Sequence, residues 1–275
     1  MLILLILTPF KMHSADRFIV LGSTIGPIDA GIIDALENSF EAETGIRVRH
    51  VGAGTGEALN IAARGGVDLV LVHAKSLEEK FVSDGYGTER IPLMYNDFVI
   101  VGPANDPAGI KGTAKAADAL RKIATKKSLF ISRGDKSGTH VAEMELWAQT
   151  GIKPSGAWYQ VYEKGSEGNG PTLRYTDEKS AYTVIDRATY LNFKNKIRLV
   201  VLVEKDMALL NYISLIPVNP KKVKGVNFDD AMVFVQWLTD PAKGQKIIAE
   251  FGKEKYGSPL FFPNSKEWVK QKGGK

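Results

Sequence analysis

The sequence predicts an α/β protein of two lobes joined by strands that cross between them. Short apolar runs alternate with segments of helical spacing, as strand–helix–strand–helix–strand over residues 17–81. That order predicts a parallel sheet with right-handed crossovers. A second strand–helix set begins near residue 129, and no Pro/Ser-rich linker, internal repeat or low-complexity stretch separates it from the first. Lobes without a linker share strands, and the expected crossings are residues 98–101 and 199–203.

Taken in order, residues 17–22 read as a first buried strand. A loop, Ser23-Thr24-Ile25-Gly26-Pro27, leads to a helix from about Pro27 with Ile28, Ile32, Leu36 and Phe40 on one face and Gly45 after its end. Residues 46–51 alternate apolar and basic, a strand with one wet face, and open into Gly52-Ala53-Gly54-Thr55-Gly56 and a second helix. Residues 68–73 form a third strand and 77–81 are helical. In such sheets ligands sit beyond the carboxyl ends of the strands, where the Ser23-Thr24 and Gly54-Thr55 loops both fall.

A long strand at 94–103 and a helix at 114–124 follow. Residues 129–131 are an apolar run that enters Ser132-Arg133-Gly134-Asp135-Lys136-Ser137-Gly138-Thr139-His140, and a helix leaves it. Ser137 or Thr139 can cap that helix, and its first amides form an anion site beside one fixed cation, Arg133. Beyond it lie a short strand at 158–162, a glycine-rich loop at 165–170, a helix near 172–179 and strands at 181–186, 199–203 and 212–218. Two helices finish the domain, the second capped by Asp240 with Pro241 at its first position and closed by Gly252. Residues 16–97 with 199–265 are assigned to one lobe, 98–198 to the other and 266–275 to a solvated basic tail.

Composition narrows the function. The 275 residues are 44% hydrophobic and 24% charged, ordinary for a globular chain, and the net charge of +5 is scattered rather than gathered on a face that a nucleic acid would need. There is no cysteine, which excludes disulfides, thiolate catalysis, Cys-based zinc sites and a lipobox anchor. The four histidines, His13, His50, His73 and His140, lack zinc spacing. Residues 1–15 read as an export leader, with an apolar run too short to span a bilayer and Ala15 as the last residue before cleavage. No basic residue precedes that run, and His13 fits poorly two positions before Ala15, so the true start is left open.

Several motifs fail as catalytic or nucleotide signatures. Glu57 stands where a dinucleotide fingerprint wants its third glycine, and no Walker A lysine occurs. Ser137, His140 and Asp135 supply three residue types of a hydrolase, but too close in sequence to arrange as nucleophile, base and orienter. A serine-type hydrolase using Ser137 is kept as a remote alternative. The binding reading rests on convergence: polar loops precede helices at the same sheet edge. Ser23, Thr24, Gly54, Thr55, Arg133, Ser137, Gly138 and Thr139 are the candidate ligand contacts. Arg133 would grip two oxygens with its fork, a salt bridge to Asp135 being its alternative role, and helix capping or a tight turn is the alternative for the others. Five or six hydrogen bonds of roughly 1.5–3 kcal/mol to a charged group reach the roughly 12 kcal/mol of nanomolar binding.

These motifs, with Asp68-Leu69-Val70-Leu71-Val72-His73-Ala74, Met94-Tyr95-Asn96-Asp97-Phe98 and Pro259-Leu260-Phe261-Phe262-Pro263-Asn264, resemble the tungstate-binding proteins of ABC importers, the TupA family, in order and along nearly the whole chain. The resemblance implies a type II periplasmic-binding-protein fold: two α/β lobes, two crossing strands and a ligand cleft that closes over a tetrahedral oxyanion. It implies capture of tungstate in the periplasm and delivery to an inner-membrane permease, by a monomer without catalysis, cofactor or protein-ligated metal. The arginine of the family's Ser-Arg-Gly-Asp motif maps onto Arg133, while Ile25 and Gly26 replace a Thr and a Ser of the usual first loop. Molybdate, phosphate and sulfate are the alternative ligands. Tungstate and molybdate have nearly the same shape and charge, so the choice between them rests on the resemblance.

Overall fold

The computed structural model describes residues 17–273, and the leader expected at 1–15 lies outside them. The chain begins with β1 (Phe18–Thr24), α1 (Ile25–Ala30), α2 (Ile32–Thr44), β2 (Arg47–Ala53), α3 (Thr55–Ala63), β3 (Leu69–Val72), α4 (Lys75–Ser83) and β4 (Ile91–Gly102). It continues with α5 (Ala116–Thr125), β5 (Phe130–Ser132), α6 (Gly138–Thr150), β6 (Tyr159–Val161), α7 (Asn169–Glu178), β7 (Thr183–Asp186), α8 (Arg187–Phe193) and β8 (Val200–Val203). It returns through β9 (Leu210–Pro217), α9 (Phe228–Thr239), α10 (Gly244–Glu250), α11 (Lys253–Tyr256), β10 (Phe262–Pro263) and α12 (Lys266–Gly273).

The first lobe is a sheet in the order β10-β4-β9-β3-β1-β2. β1 lies between β2 and β3 and is parallel to both, as the strand–helix alternation predicts. β9 returns antiparallel between β3 and β4. Helix α2 lays Ile32, Ile33, Leu36 and Phe40 on one face of this sheet, against Phe234, Trp237 and Leu238 of α9. Ala58, Leu59 and Ala62 of α3 close the other face with Val70, Val72 and Phe81.

β4 belongs to both lobes. Its residues from Ile91 to Asp97 pair with β9, and those from Phe98 to Val101 pair with β7. The second-lobe half is buried on both faces with the period of two a strand imposes. Phe98 and Ile100 join the core of α5 and α6, while Val99 and Val101 join Leu173 and Ile185. The first expected crossing thus falls on this half of β4. The second expected crossing, 199–203, contains β8, which pairs with β4 inside the second lobe; the return passage follows it, between Val203 and Leu210. One guanidinium spans both passages. Arg187, at the start of α8, binds Asp97 of β4 (Nε–Oδ1 2.8 Å, Nη2–Oδ2 2.5 Å) and Glu204 of the return passage (2.9 Å).

Some elements differ from expectation. The first helix starts at Ile25, not Pro27, and is broken in two at Gly31, whose φ of 82° is left-handed. The helix expected near 172 starts at Asn169, and the one expected from Pro241 starts at Gly244 after a turn. The basic end expected as a solvated tail is helical over α12, where the Ser265 hydroxyl accepts from the Trp268 amide at 3.1 Å.

Candidate functional site

Because β1, β2 and β3 run parallel, their carboxyl ends share one edge. Register places Thr24 opposite Ala53 and Ser23 opposite both Gly52 and Leu71. The loops after Thr24, Ala53 and Val72 therefore sit side by side. Ser23 is fully buried, and its hydroxyl reaches the Thr24 carbonyl at 3.3 Å. Thr24 is 2% exposed, and its Oγ1 has no partner among the described residues. Gly54 is the residue before α3, and Thr55 is the first residue of that helix. Ile25 and Gly26 lie in the first turn of α1, where Ile25 is exposed and its Cδ1 packs over Gly52.

The second lobe presents the loop between β5 and α6. Ser137 is the N-cap of α6, its Oγ accepting from the His140 amide at 3.4 Å. Thr139 is buried in the first turn. Asp135 accepts the Ser137 amide at 3.1 Å and pairs with Arg133 Nη2 at 2.5 Å. Burial works to raise the Asp135 carboxyl, but the bonds from Ser137 and the charge of Arg133 win and hold it below the usual range. The other arm of Arg133, Nη1, donates to Asn169 Oδ1, and its Nε is buried without a partner among the described residues. Asn169 Nδ2 in turn donates to Asp186 Oδ2 at 2.6 Å. Both roles of Arg133 weighed above thus have a physical basis: it is salt-bridged, and it retains open donors.

The lobes meet at Gly138 and His73. A Cβ on Gly138 would stand 2.1 Å from His73 Cε1, so only glycine allows this approach. Burial pushes the His73 imidazole down to about 4, against the opposing effect of its hydrogen bond with Asn211, so it is neutral at physiological pH. Beside this contact opens a cleft of about 930 Å³ lined by Gly54, Thr55, His73, Gly138 and Asn211 among others. Of the candidate residues, Gly54, Thr55 and Gly138 line that space. Ser23 and Thr24 adjoin it through strand register, and Arg133, Ser137 and Thr139 through the loop that carries Gly138.

Sequence reasoning missed Asn169 and Asp186. Asn169 sits in a Gly-Asn-Gly stretch as the first residue of α7, after Gly168, the same glycine-then-helix pattern that marked the other loops, so a signal was there. Asp186 carried one too, as the N-cap of α8 accepting from the Thr189 amide at 2.8 Å. Partial desolvation of the exposed Asp29 of α1, and the charge of Asp186, raise the Asp29 carboxyl above its ordinary value. Among the described residues, Asp34, Glu37 and His50 each bring one ligand atom within 4.8 Å of the others. They lie on α2 and β2, include no cleft residue, and Glu37 is already bonded to His50 at 3.0 Å.

Residues 12–242 match the family described as PBP superfamily domain. The chain is 45% identical over 253 residues to the tungstate-binding protein TupA of Peptoclostridium acidaminophilum, covering 91% of this chain and 87% of that protein. It superposes with a TM-score of 0.83 on the tungstate-binding protein TupA from Desulfovibrio alaskensis G20, at 42% identity over 91% of this chain and all of the other. The tungstate ABC transporter structure from Geobacter sulfurreducens superposes with a TM-score of 0.76 at 44% identity, covering 86% of this chain and all of the other.

Proposed function

The chain belongs to the TupA family of the PBP superfamily, and on that premise we propose that it captures tungstate between its lobes and hands it to a membrane permease. The observation that carries this reading is a pair of buried polar atoms waiting in the opposed loops. Thr24 Oγ1 in one lobe and Arg133 Nε in the other have no partner among the described residues. A buried polar group left unpaired costs about 1–3 kcal/mol, so such a group on a loop beside a cleft points to a ligand.

In this reading Ser23, Thr24, Gly54 and Thr55 act from one jaw and Arg133, Ser137, Gly138 and Thr139 from the other. Residues 16–97 with 199–265 form the first lobe and 98–198 the second, and the protein works as an exported, periplasmic monomer. Closure excludes water and strengthens each polar contact. The donors are neutral hydroxyls and amides around one guanidinium, which suits an ion that is already a dianion. Asp135 is engaged by Arg133 and Ser137, so no free carboxylate in this loop waits for the proton of a hydrogen phosphate. In this reading the protein performs no chemistry, and the reading is supported against a hydrolase at Ser137 by Ser137 Oγ accepting from the His140 amide while His140 Nδ1 accepts from the Lys136 amide at 2.9 Å.

Calorimetric titration with tungstate, molybdate, sulfate and phosphate tests the reading. Tungstate is expected to bind tightest and without turnover. If none of the four binds more tightly than micromolar, the oxyanion reading is abandoned.

A further inference from the structure

Arg133 is the charged donor among the eight proposed contacts, and its usefulness depends on where its fork points. Asp135, two residues away on the same loop, holds one arm. The other arm is held from 36 residues away by Asn169 Oδ1. An amide between a guanidinium and a carboxylate has one sensible orientation, oxygen to the cation and nitrogen to the anion. Asn169 is so placed, since its Nδ2 donates to Asp186. Asp186 is itself immobilised: it accepts the Thr189 amide at 2.8 Å and the Thr189 hydroxyl at 2.6 Å as the cap of α8. The next residue, Arg187, is anchored on both passages between the lobes.

A second contact brings the same segment onto the arginine. The chain at Gly165, four residues before Asn169, lies so close to the Arg133 carbonyl that a Cβ there would stand 1.9 Å from the oxygen. The Tyr162 amide also donates to the Ser132 carbonyl at 2.8 Å. The loop from Tyr162 to Asn169 is thus packed against Arg133 at backbone and side chain alike.

We propose that Asn169 is a positioning residue for anion binding: backed by Asp186, it fixes the Arg133 guanidinium so that its open edge, including Nε, faces the ligand. Asn169 holds the arginine and does not itself grip the ion. A guanidinium with one arm free rotates about its long side chain, and its fork is then no longer preset for two oxygens. The inference rests on the oxyanion reading given above.

A double-mutant cycle separates positioning from simple structural support. Tungstate affinity is measured by calorimetry for the unmodified chain, Asn169→Ala, Asn169→Leu, Arg133→Lys and the doubles of each Asn169 variant with Arg133→Lys. Lysine keeps the charge, and hence measurable binding, but has no fork to orient. Both Asn169 variants are expected to weaken tungstate at least tenfold in the natural background and less than twofold in the Arg133→Lys background, with the ligand-free melting temperature little changed. The leucine variant fills the same space without an acceptor, so an equal loss in both variants assigns the effect to the hydrogen bond. Equal losses in both backgrounds, or no loss in the natural one, would overturn the proposal. If the unmodified chain fails to bind tungstate, the oxyanion reading falls and this inference falls with it. Binding by the unmodified chain with no effect of Asn169 removes the inference alone.

Discussion

In the second lobe Arg133, on the loop beside the cleft, has both terminal nitrogens already held, by Asp135 and Asn169, and the helix behind it is capped by Ser137. In the first lobe Thr24 carries a buried hydroxyl with no partner among the described residues, and the helix that follows has no side-chain cap. One jaw is largely held in place before any ion arrives; the other is not. A preset jaw pays little on binding, because its dipoles need no reorganisation. An unsatisfied jaw gains most from closure, because closure gives its orphaned group a partner. On the proposed reading the difference would favour initial capture by the second lobe, while the orphaned groups of both lobes, Thr24 Oγ1 and Arg133 Nε, would gain partners on closure.

Four substitutions test this division, from the largest effect to the smallest. Arg133→Ala removes the charge from the preset jaw, and calorimetry should find tungstate weakened by roughly tenfold or more, as for lost hydrogen bonds to a charged group. Unchanged affinity would take Arg133 out of the site. Gly138→Ala forces a methyl group against His73, 2.1 Å from Cε1. Overpacking of this kind costs about 1–3 kcal/mol, and it should appear as faster tungstate release in stopped-flow, since it opposes closure rather than encounter. Thr24→Ala deletes the orphaned hydroxyl. It should weaken binding by about tenfold, the lower end of what one hydrogen bond to a charged group is worth, yet leave the ligand-free protein as stable as before or slightly more so in a melting experiment. A drop in ligand-free stability would mean that Thr24 is satisfied after all.

The smallest effect concerns Glu143, buried beneath the preset jaw, where its Oε1 accepts from Trp147 Nε1 at 3.2 Å and from the Tyr159 hydroxyl at 2.8 Å. Burial pushes its carboxyl up from 4.5 to about 7, against the pull of the hydrogen bonds from Tyr159 and Trp147. The folded state therefore holds a proton that the unfolded state has lost. The associated stability is fully present below about 4.5 and is lost as pH rises through about 7. Glu143→Gln should flatten this decline, with the melting temperature raised by a few degrees at pH 8 relative to the unmodified chain, on the order of 2–4 °C per kcal/mol. An identical decline in both proteins would show that Glu143 does not titrate in that window.

Much of the architecture was legible because its causes are local. The runs that became β3 and β4 are apolar enough to be buried on both faces, and the cap of α6 by Ser137 is written within four residues of sequence. The break at Gly31 was not legible, because an apolar face at Ile28, Ile32, Leu36 and Phe40 continues straight through it. Nor was the placement of β9 between β3 and β4, which depends on pairing residues more than a hundred positions apart, such as Asn96 with Asn211. The same limit applied to the site. Arg133 and its neighbour Asp135 could be read from one loop, whereas Asn169 and Asp186 reach Arg133 only through the fold. Ile25 illustrates a substitution that sequence alone could mark but not place: its side chain lies over Gly52.

The twelve residues of β4 form one unbroken strand that is hydrogen-bonded into both lobes. A molecule with such a member has no slack joint. Any rotation of one half against the other must be taken up as added twist along that strand and along the returning passage, both pinned at Arg187. On the reading proposed above, opening and closing would be resisted by this strand itself, which also contributes Pro92 and Phe98 to the lining of the cleft.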